Sequence, residues 1–379
     1  MNDNRHRVGL VLTGGGARAA YQVGVLRAIS EFVPDDVRNP FPIICGTSAG
    51  AVNAAVLAAN GSNFRRGVRT LMTVWKNFRA YHVYRADPVG VIRNTLQWLT
   101  AVIAGGGLGR QTPFSLLDNS PLGELLRNRL DFSTIQSAVD AGDLIAVSIT
   151  CSGYSSGQSV TFYQGIPELQ PWNRARRIGI PMAIAPDHLL ASSALPFIFP
   201  AMHINREFFG DGSMRQIAPV SPALHLGANR LLIIGVGRQL SNQPQRTRTE
   251  GYPSLAQIAG HCLNSIFLDS LEVDLERLQR INRTLAMMPP EIMAKNAVPM
   301  QQVDFRLISP SEELARIAMN YKHELPRAIR FLLYGALRRS GSNLLSYLLF
   351  EKSYCRALIQ LGYKDTMGRK DELLAFLGY

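Results

Sequence analysis

Cysteine is scarce in this chain, and its four copies, Cys45, Cys151, Cys262 and Cys355, lie far apart with no CxxC pair and no Cys/His cluster. That spacing excludes a disulfide framework and a zinc site, so the four read as small buried apolar residues, and no metal or cofactor is expected. Long hydrophobic runs are missing as well. A spanning helix needs about 18 to 20 apolar residues, and the nearest approach, residues 43–59, is broken by Thr47, Ser48 and Asn53. Arg5 and Arg7 precede only Val8 to Leu12 before glycine intervenes, shorter than the roughly 7 to 15 apolar residues of a signal-peptide core. With no signal peptide and no transmembrane helix, the expectation is a cytoplasmic chain that meets any membrane from the side. Acidic residues are also in short supply, 28 Asp and Glu against 40 Lys and Arg, for a net charge of +12. The surplus is clumped at Arg65-Arg66, Arg174 to Arg177, Arg246 to Arg248 and Arg338-Arg339. Such clumps suit an anionic membrane surface at its periphery, or simply form a solvated basic exterior. Nucleic acid is not an expected partner, because no motif of that class accompanies the charge.

What the chain does have is apolar content, 46% over 379 residues, enough for one large domain and a smaller one. Strand-like runs alternate with helical patterns: Val8 to Leu12, then Gly16 to Phe32; Phe41 to Cys45, then Ala49 to Ala59; then Leu144 to Thr150. Ser159 to Tyr163, His203 to Phe209 and Arg230 to Val236 are further strand candidates, with a helix over Pro186 to Ala194. The alternation predicts an α/β fold, a three-layer α/β/α sandwich on a mainly parallel sheet over residues 5–240. A polar, proline-containing stretch over 241–253 reads as a linker or surface loop, and 254–379 as a mainly helical C-terminal region without catalytic motifs. There, Leu271, Leu275, Leu278 and Leu285 mark an amphipathic helix whose stripe is expected to pack on the protein, and Leu344 to Phe350 and Leu358 to Leu361 read as helix. Tyr81 to Arg110, with Trp98, Leu99 and Gly105 to Gly107, reads either as a lid or membrane-contact segment or as a packed helix ending at glycine, the second being favoured.

Chemistry concentrates in three short blocks. Ser48 stands in Gly46-Thr47-Ser48-Ala49-Gly50 after an apolar run, where a sharp strand-to-helix turn bracketed by glycine thrusts a hydroxyl out of the backbone. Gly14, Gly15 and Gly16 end an earlier run and can present bare N–H groups to an oxyanion, with a helix dipole behind them. Arg18, one turn on, can support that loop, assist the oxyanion or form a structural salt bridge. Asp211, in Gly210-Asp211-Gly212-Ser213, is the candidate base; an ordinary carboxylate is feeble, so it must be desolvated or held within hydrogen-bond range of the hydroxyl. Gly14-x-Gly16-x-x-Ala19 also fits a loose dinucleotide fingerprint, but the strand that should end in an acidic residue ends in Gly46-Thr47-Ser48. A Ser-His-Asp triad is the nearer rival, with His225, His261 and His323 all following Asp211 and none carrying a signature. A non-catalytic lipid-binding or regulatory module on the same scaffold is a third reading.

In this order the blocks resemble the patatin-like phospholipase family. Gly14-Gly15-Gly16-Ala17-Arg18-Ala19 is similar to its oxyanion loop, Gly46 to Gly50 to its nucleophile elbow, and Asp211-Gly212-Ser213 to its acid motif. Ala191 to Pro200 is similar to the segment that precedes the family's aspartate. The resemblance implies hydrolysis of lipid esters, of phospholipase A or lysophospholipase type, by a Ser48–Asp211 dyad with a glycine-loop oxyanion hole. Two departures stand out: Ala19 replaces a glycine, tolerable if its backbone is helical, and Ser213 replaces Gly or Ala, so its hydroxyl can bond Asp211.

Overall fold

A computed structural model describes residues 7–85, 115–238, 258, 261, 265, 270–288, 301–332 and 342–379. The stretch 241–253 and residues 86–110, Trp98 included, lie outside the described residues. In chain order, β1 is Val8–Leu12, α1 Ala20–Phe32, β2 Ile43–Thr47, α2 Ala49–Ala59, α3 Phe64–Lys76, α4 Ser120–Arg129 and α5 Ser133–Asp140. Next come β3 Ala146–Gly153, β4 Ser159–Gly165, β5 Trp172–Arg174, β6 Arg177–Pro181, α6 Pro186–Ser192, β7 Met202–Ile204 and β8 Glu207–Asp211. After α7 Ser221–His225 and β9 Arg230–Ile234 the chain adds α8 Ser270–Met287, β10 Asp304–Ile308, α9 Leu314–Asn320, α10 Arg327–Leu332, α11 Ser342–Leu348, α12 Lys352–Met367 and α13 Lys370–Leu377.

The sheet runs β10-β9-β1-β2-β3-β4-β6-β5, with β8 pairing the far end of β3 and β7 pairing β8. β10, β9, β1, β2 and β3 are mutually parallel, as the alternation with helices predicts. Strand side chains divide between two cores: Val8, Leu10, Leu12, Leu232 and Ile234 join one cluster, and Val11, Leu231 and Ile233 the other. Both faces of the sheet are therefore covered, which is why these strands read as unbroken apolar runs. Leu271, Leu275 and Leu278 of α8 fill the second cluster, so that helix does pack its stripe on the protein.

Three local expectations shift. β2 begins at Ile43 rather than Phe41, because Pro40 and Pro42 have no N–H to give a ladder. His203 to Phe209 is a hairpin rather than one strand: Asn205, at φ 56, turns the chain between β7 and β8. The C-terminal region also supplies a strand, β10, which lies parallel to β9 at the sheet edge.

That region is built into the core. Where α12 crosses α1, a Cβ on Gly24 would stand 2.0 Å from the Ile359 carbonyl oxygen, and one on Gly362 would stand 2.2 Å from that of Tyr21. Only glycine lets the two backbones approach so closely. Among the described residues no helix is long and apolar enough to cross a membrane. Replacing Gly24 or Gly362 by Ala should lower stability by on the order of 2 kcal/mol or more, since backbone rather than a flexible side chain must move. Urea denaturation of each variant against wild type measures this as a lower midpoint at unchanged slope.

Candidate active site

Because β1 and β2 are parallel neighbours, with Leu12 opposite Gly46, the turns that follow them open on the same edge of the sheet. Gly14 to Gly16 leave β1 there and Ser48 leaves β2. Ser48 has φ 55 and ψ −130, an arrangement that costs a non-glycine residue about 1 to 3 kcal/mol and needs surrounding structure to enforce it. The enforcement is visible. Its N–H donates to the Ser192 hydroxyl at 2.8 Å, that hydroxyl donates to the Thr150 carbonyl at 2.6 Å, and the Ser48 carbonyl accepts from Ala51 N–H at 2.9 Å. The flanking glycines serve close packing: a Cβ on Gly46 would meet the Gly50 carbonyl at 2.6 Å, and one on Gly50 the Leu12 carbonyl at 2.4 Å. Helix α2 starts at Ala49, so its positive dipole end and the amides of Ala49 and Gly50, which bond no described residue, lie next to the serine.

Ser48 and Asp211, 163 positions apart, meet: Oγ donates to Oδ2 at 2.6 Å. Asp211 ends β8, held by its register with Cys151 and by its N–H bond to the Ala194 carbonyl at 2.9 Å. Its second oxygen accepts the Ser213 backbone N–H at 2.9 Å. Gly212 passes so near Thr150 that a Cβ would stand 2.0 Å from that carbonyl oxygen. Thr150 thus holds both halves of the pair in register. The Asp211 side chain is fully buried, and burial pushes its pKa up to about 6 even though the bonds from Ser48 and Ser213 pull it down.

In the glycine turn, Gly16 has φ 54 and its missing Cβ makes room for the Tyr347 carbonyl oxygen, which would otherwise lie 2.3 Å away. Gly15 is extended, Gly14 leads into it, and Ala19 is helical at φ −64, so the alanine there carries no backbone strain. Arg18 is buried and makes no salt bridge with a described residue. Its guanidinium donates to Ser346 Oγ at 2.8 Å, Tyr347 Oη at 3.1 Å and Asn343 Oδ1 at 3.3 Å, and lies 4.0 Å over the Tyr347 ring. A buried chain of amides braces the same turn: Trp75 Nε1 donates to Asn53, Asn53 to Gln22, and Gln22 to the Thr13 carbonyl at 2.8 Å.

Ser48, Asp211 and Gly16 line a cavity of ≈ 50 Å³ whose other walls are mostly apolar, among them Val52, Trp75, Leu122 and Phe199. Tyr347, Leu348 and Phe350 complete it from the C-terminal region, a contribution that the reading of that region as free of catalytic motifs did not foresee. The apolar run Leu344 to Phe350 was the available signal. The Ser193 hydroxyl, also on the cavity wall, is buried without a hydrogen-bond partner among the described residues. Among the described residues no histidine bonds to Ser48 or Asp211. His225 stacks on Trp172 with ring centroids 4.8 Å apart, His261 and His323 are exposed, and His188 accepts the Ala185 N–H. No group of three potential metal ligands occurs among the described residues.

A family model described as patatin-like phospholipase matches residues 10–224, more than half of the chain and the span that holds the glycine turn, Ser48 and Asp211. The chain belongs to the patatin-like phospholipase family. It is 26% identical over 245 residues to the uncharacterized protein YjjU of Escherichia coli strain K12, covering 63% of this chain and 55% of that protein. It is 27% identical over 222 residues to a cGAMP-activated phospholipase of Pseudomonas aeruginosa, covering 57% of this chain and 55% of that one. The chain thus spans about half the length of these curated relatives. A solved human GIVD cytosolic phospholipase A2 aligns with all of this chain and 60% of its own, at a TM-score of 0.43 and 13% identity. The family match ends before β9, so α11, which holds Arg18 and the cavity wall, lies beyond it.

Burial of Asp211 has a cost that stability measurements can read. Its folded pKa, about 6, lies above the ordinary aspartate value of 3.8, so the native state binds more protons between about pH 4 and 6 and loses stability as pH rises through that window. Asp211→Asn keeps an acceptor for Ser213 N–H without the buried charge. It should raise stability at pH 8 by up to about 3 kcal/mol, and the gain should vanish below about pH 4. Thermal melts of both proteins across pH test this.

Proposed function

We propose that this patatin-like protein is a serine acyl hydrolase of lipid esters, of phospholipase A or lysophospholipase type. The observation that carries the reading is the 2.6 Å bond from the Ser48 hydroxyl to a wholly buried Asp211 at the head of an apolar cavity. In the acylation step Asp211 takes the proton from Ser48 Oγ as that oxygen bonds the ester carbonyl carbon, giving a tetrahedral oxyanion. Backbone N–H groups of Gly14, Gly15 and Gly16, with the first turn of α2, stabilise the oxyanion. The N–H of Ser48 itself is engaged by Ser192, which leaves the work to the glycine turn and the helix. Collapse breaks the ester C–O bond, the alcohol leaves with the proton from Asp211, and the acyl group stays on Ser48. Water, deprotonated by Asp211, then repeats the sequence to release the fatty acid and restore the serine. The cavity wall offers an acyl chain an apolar environment, and Arg18, locked onto α11, holds the turn that carries the donors.

A proton acceptor whose pKa is near 6 is a far better base at neutral pH than an ordinary aspartate, and it must be ionised to act. Activity should therefore rise with pH, kcat/KM showing an acid limb at an apparent pKa of about 6. Fatty-acid release from phospholipid and from a chromogenic ester should fall by about 1,000-fold or more in Ser48→Ala and in Asp211→Asn. Equal rates in all three proteins would end the proposal. Tyr347→Phe removes one acceptor from Arg18 without emptying the cavity, and should lower kcat by about 10-fold with KM within about twofold, the signature of a misplaced donor loop.

A further inference from the structure

Of the basic clumps in the sequence, three are engaged elsewhere or lie outside the described residues. Arg65 pairs with Asp35 at 3.0 Å and donates to the Ser30 carbonyl, and the clumps at 246–248 and 338–339 lie outside the described residues. Arg174 to Arg177 is different, because it occupies the turn between β5 and β6 and does not stand alone.

Three hairpin turns converge where β3 ends, on the edge of the sheet that carries Asp211 but outside the cavity. They are the β3–β4 turn over 154–158, the β5–β6 turn at Ala175-Arg176 and the β7–β8 turn at Asn205-Arg206. Hydrogen bonds join them: Tyr154 N–H donates to the Phe208 carbonyl at 3.0 Å, and Ser159 N–H to the Arg176 carbonyl at 2.9 Å. The Arg215 guanidinium reaches the same place, 4.0 Å from where a Cβ on Gly157 would stand. Tyr154, Phe208 and Ile217, two residues beyond Arg215, are each half or more exposed. Arg174, Arg176, Arg206 and Arg215 are exposed among them, and Arg176, Arg206 and Arg215 form no ion pair with a described residue. The acidic member of the group, Glu207, is turned onto the Ser155 hydroxyl at 2.9 Å and the Ser156 N–H at 2.6 Å.

We propose that this face docks on an anionic lipid surface. It supplies the substrate surface for the acyl-hydrolase reading, on which it rests for its purpose. Guanidinium groups meet headgroup phosphates bidentately, while an aromatic or aliphatic side chain between them enters the boundary of headgroups and acyl chains. A nucleic acid would satisfy the arginines but leaves Ile217 without a role, since stacking platforms use rings. Two strands, β3 and β8, join the surface to the site: Gly153 pairs with Phe209, two positions along β8 from the pairing of Cys151 with Asp211. Docking by this face brings the catalytic edge of the sheet to the lipid.

The full chain is tested by co-sedimentation with vesicles of phosphatidylcholine alone and of phosphatidylcholine with phosphatidylglycerol. Wild type should prefer the anionic vesicles, with weakening as salt rises. The triple variant Arg176→Glu, Arg206→Glu, Arg215→Glu should bind them at least about 10-fold more weakly. Phe208→Ser with Ile217→Ser should bind more weakly at high salt, where the apolar part carries the attachment. Unchanged binding in both variants, or a wild type that is retained on DNA and not on anionic vesicles, overturns the proposal. Hydrolysis of a water-soluble short-chain ester by the same proteins reads the Ser48 site separately. An inert wild type whose vesicle binding follows the pattern above would refute the catalytic reading and leave the surface standing.

Discussion

The hydrogen bond between the Ser48 hydroxyl and the buried Asp211 carboxylate is the contact on which the rest of this structure depends. Neither partner is comfortable alone. Ser48 occupies a backbone region that serine avoids, and Asp211 is wholly buried, so each is held by structure built for that purpose. Thr150 is the junction: its carbonyl accepts the Ser192 hydroxyl that fixes the Ser48 amide, and the same carbonyl lies against Gly212 beside the aspartate. A central strand, β3, therefore sets the distance between two side chains that arrive from different strands. The free energy needed to hold the strained serine and the desolvated acid comes from the two cores on either side of the sheet.

Arg18 shows how far that support extends. Its buried guanidinium meets neutral partners, Ser346, Tyr347 and Asn343, and no carboxylate among the described residues neutralises it. All three partners belong to α11, more than 300 residues along the chain and outside the span matched by the family model. The same helix closes the cavity, while β10 extends the sheet and α12 seats on α1 through paired glycines. The C-terminal third is thus part of the body that holds the site.

Much of the architecture was legible because buried parallel strands and amphipathic helices leave distinct patterns. β1 and α2 begin and end where their apolar runs do, and the three glycine-rich blocks lie at the turns that their composition demanded. The errors have equally local causes. Prolines 40 and 42 delayed β2, and an asparagine able to take a left-handed turn split one apparent strand into a hairpin. β10 went unseen because Asp304, Phe305 and Arg306 do not form an apolar run: it is an edge strand, buried only in part. Leu344 to Phe350 was recognisable as helix, yet nothing in seven residues indicates which distant turn they will cover.

By itself the sequence determined the turn chemistry and the candidate groups: glycines where backbones must touch, a serine in an elbow, an aspartate after a strand, and an apolar rhythm that demands a two-sided sheet. These are properties of a few neighbouring residues and survive in one dimension. Only the tertiary structure decided that the acid would be wholly buried and so hold its proton to about pH 6. It also decided that Arg18 would answer to α11, and that Tyr154, Arg176, Phe208 and Arg215 would share one face. Burial, charge compensation and surface neighbourhood depend on which distant segments come together, and no local pattern encodes that.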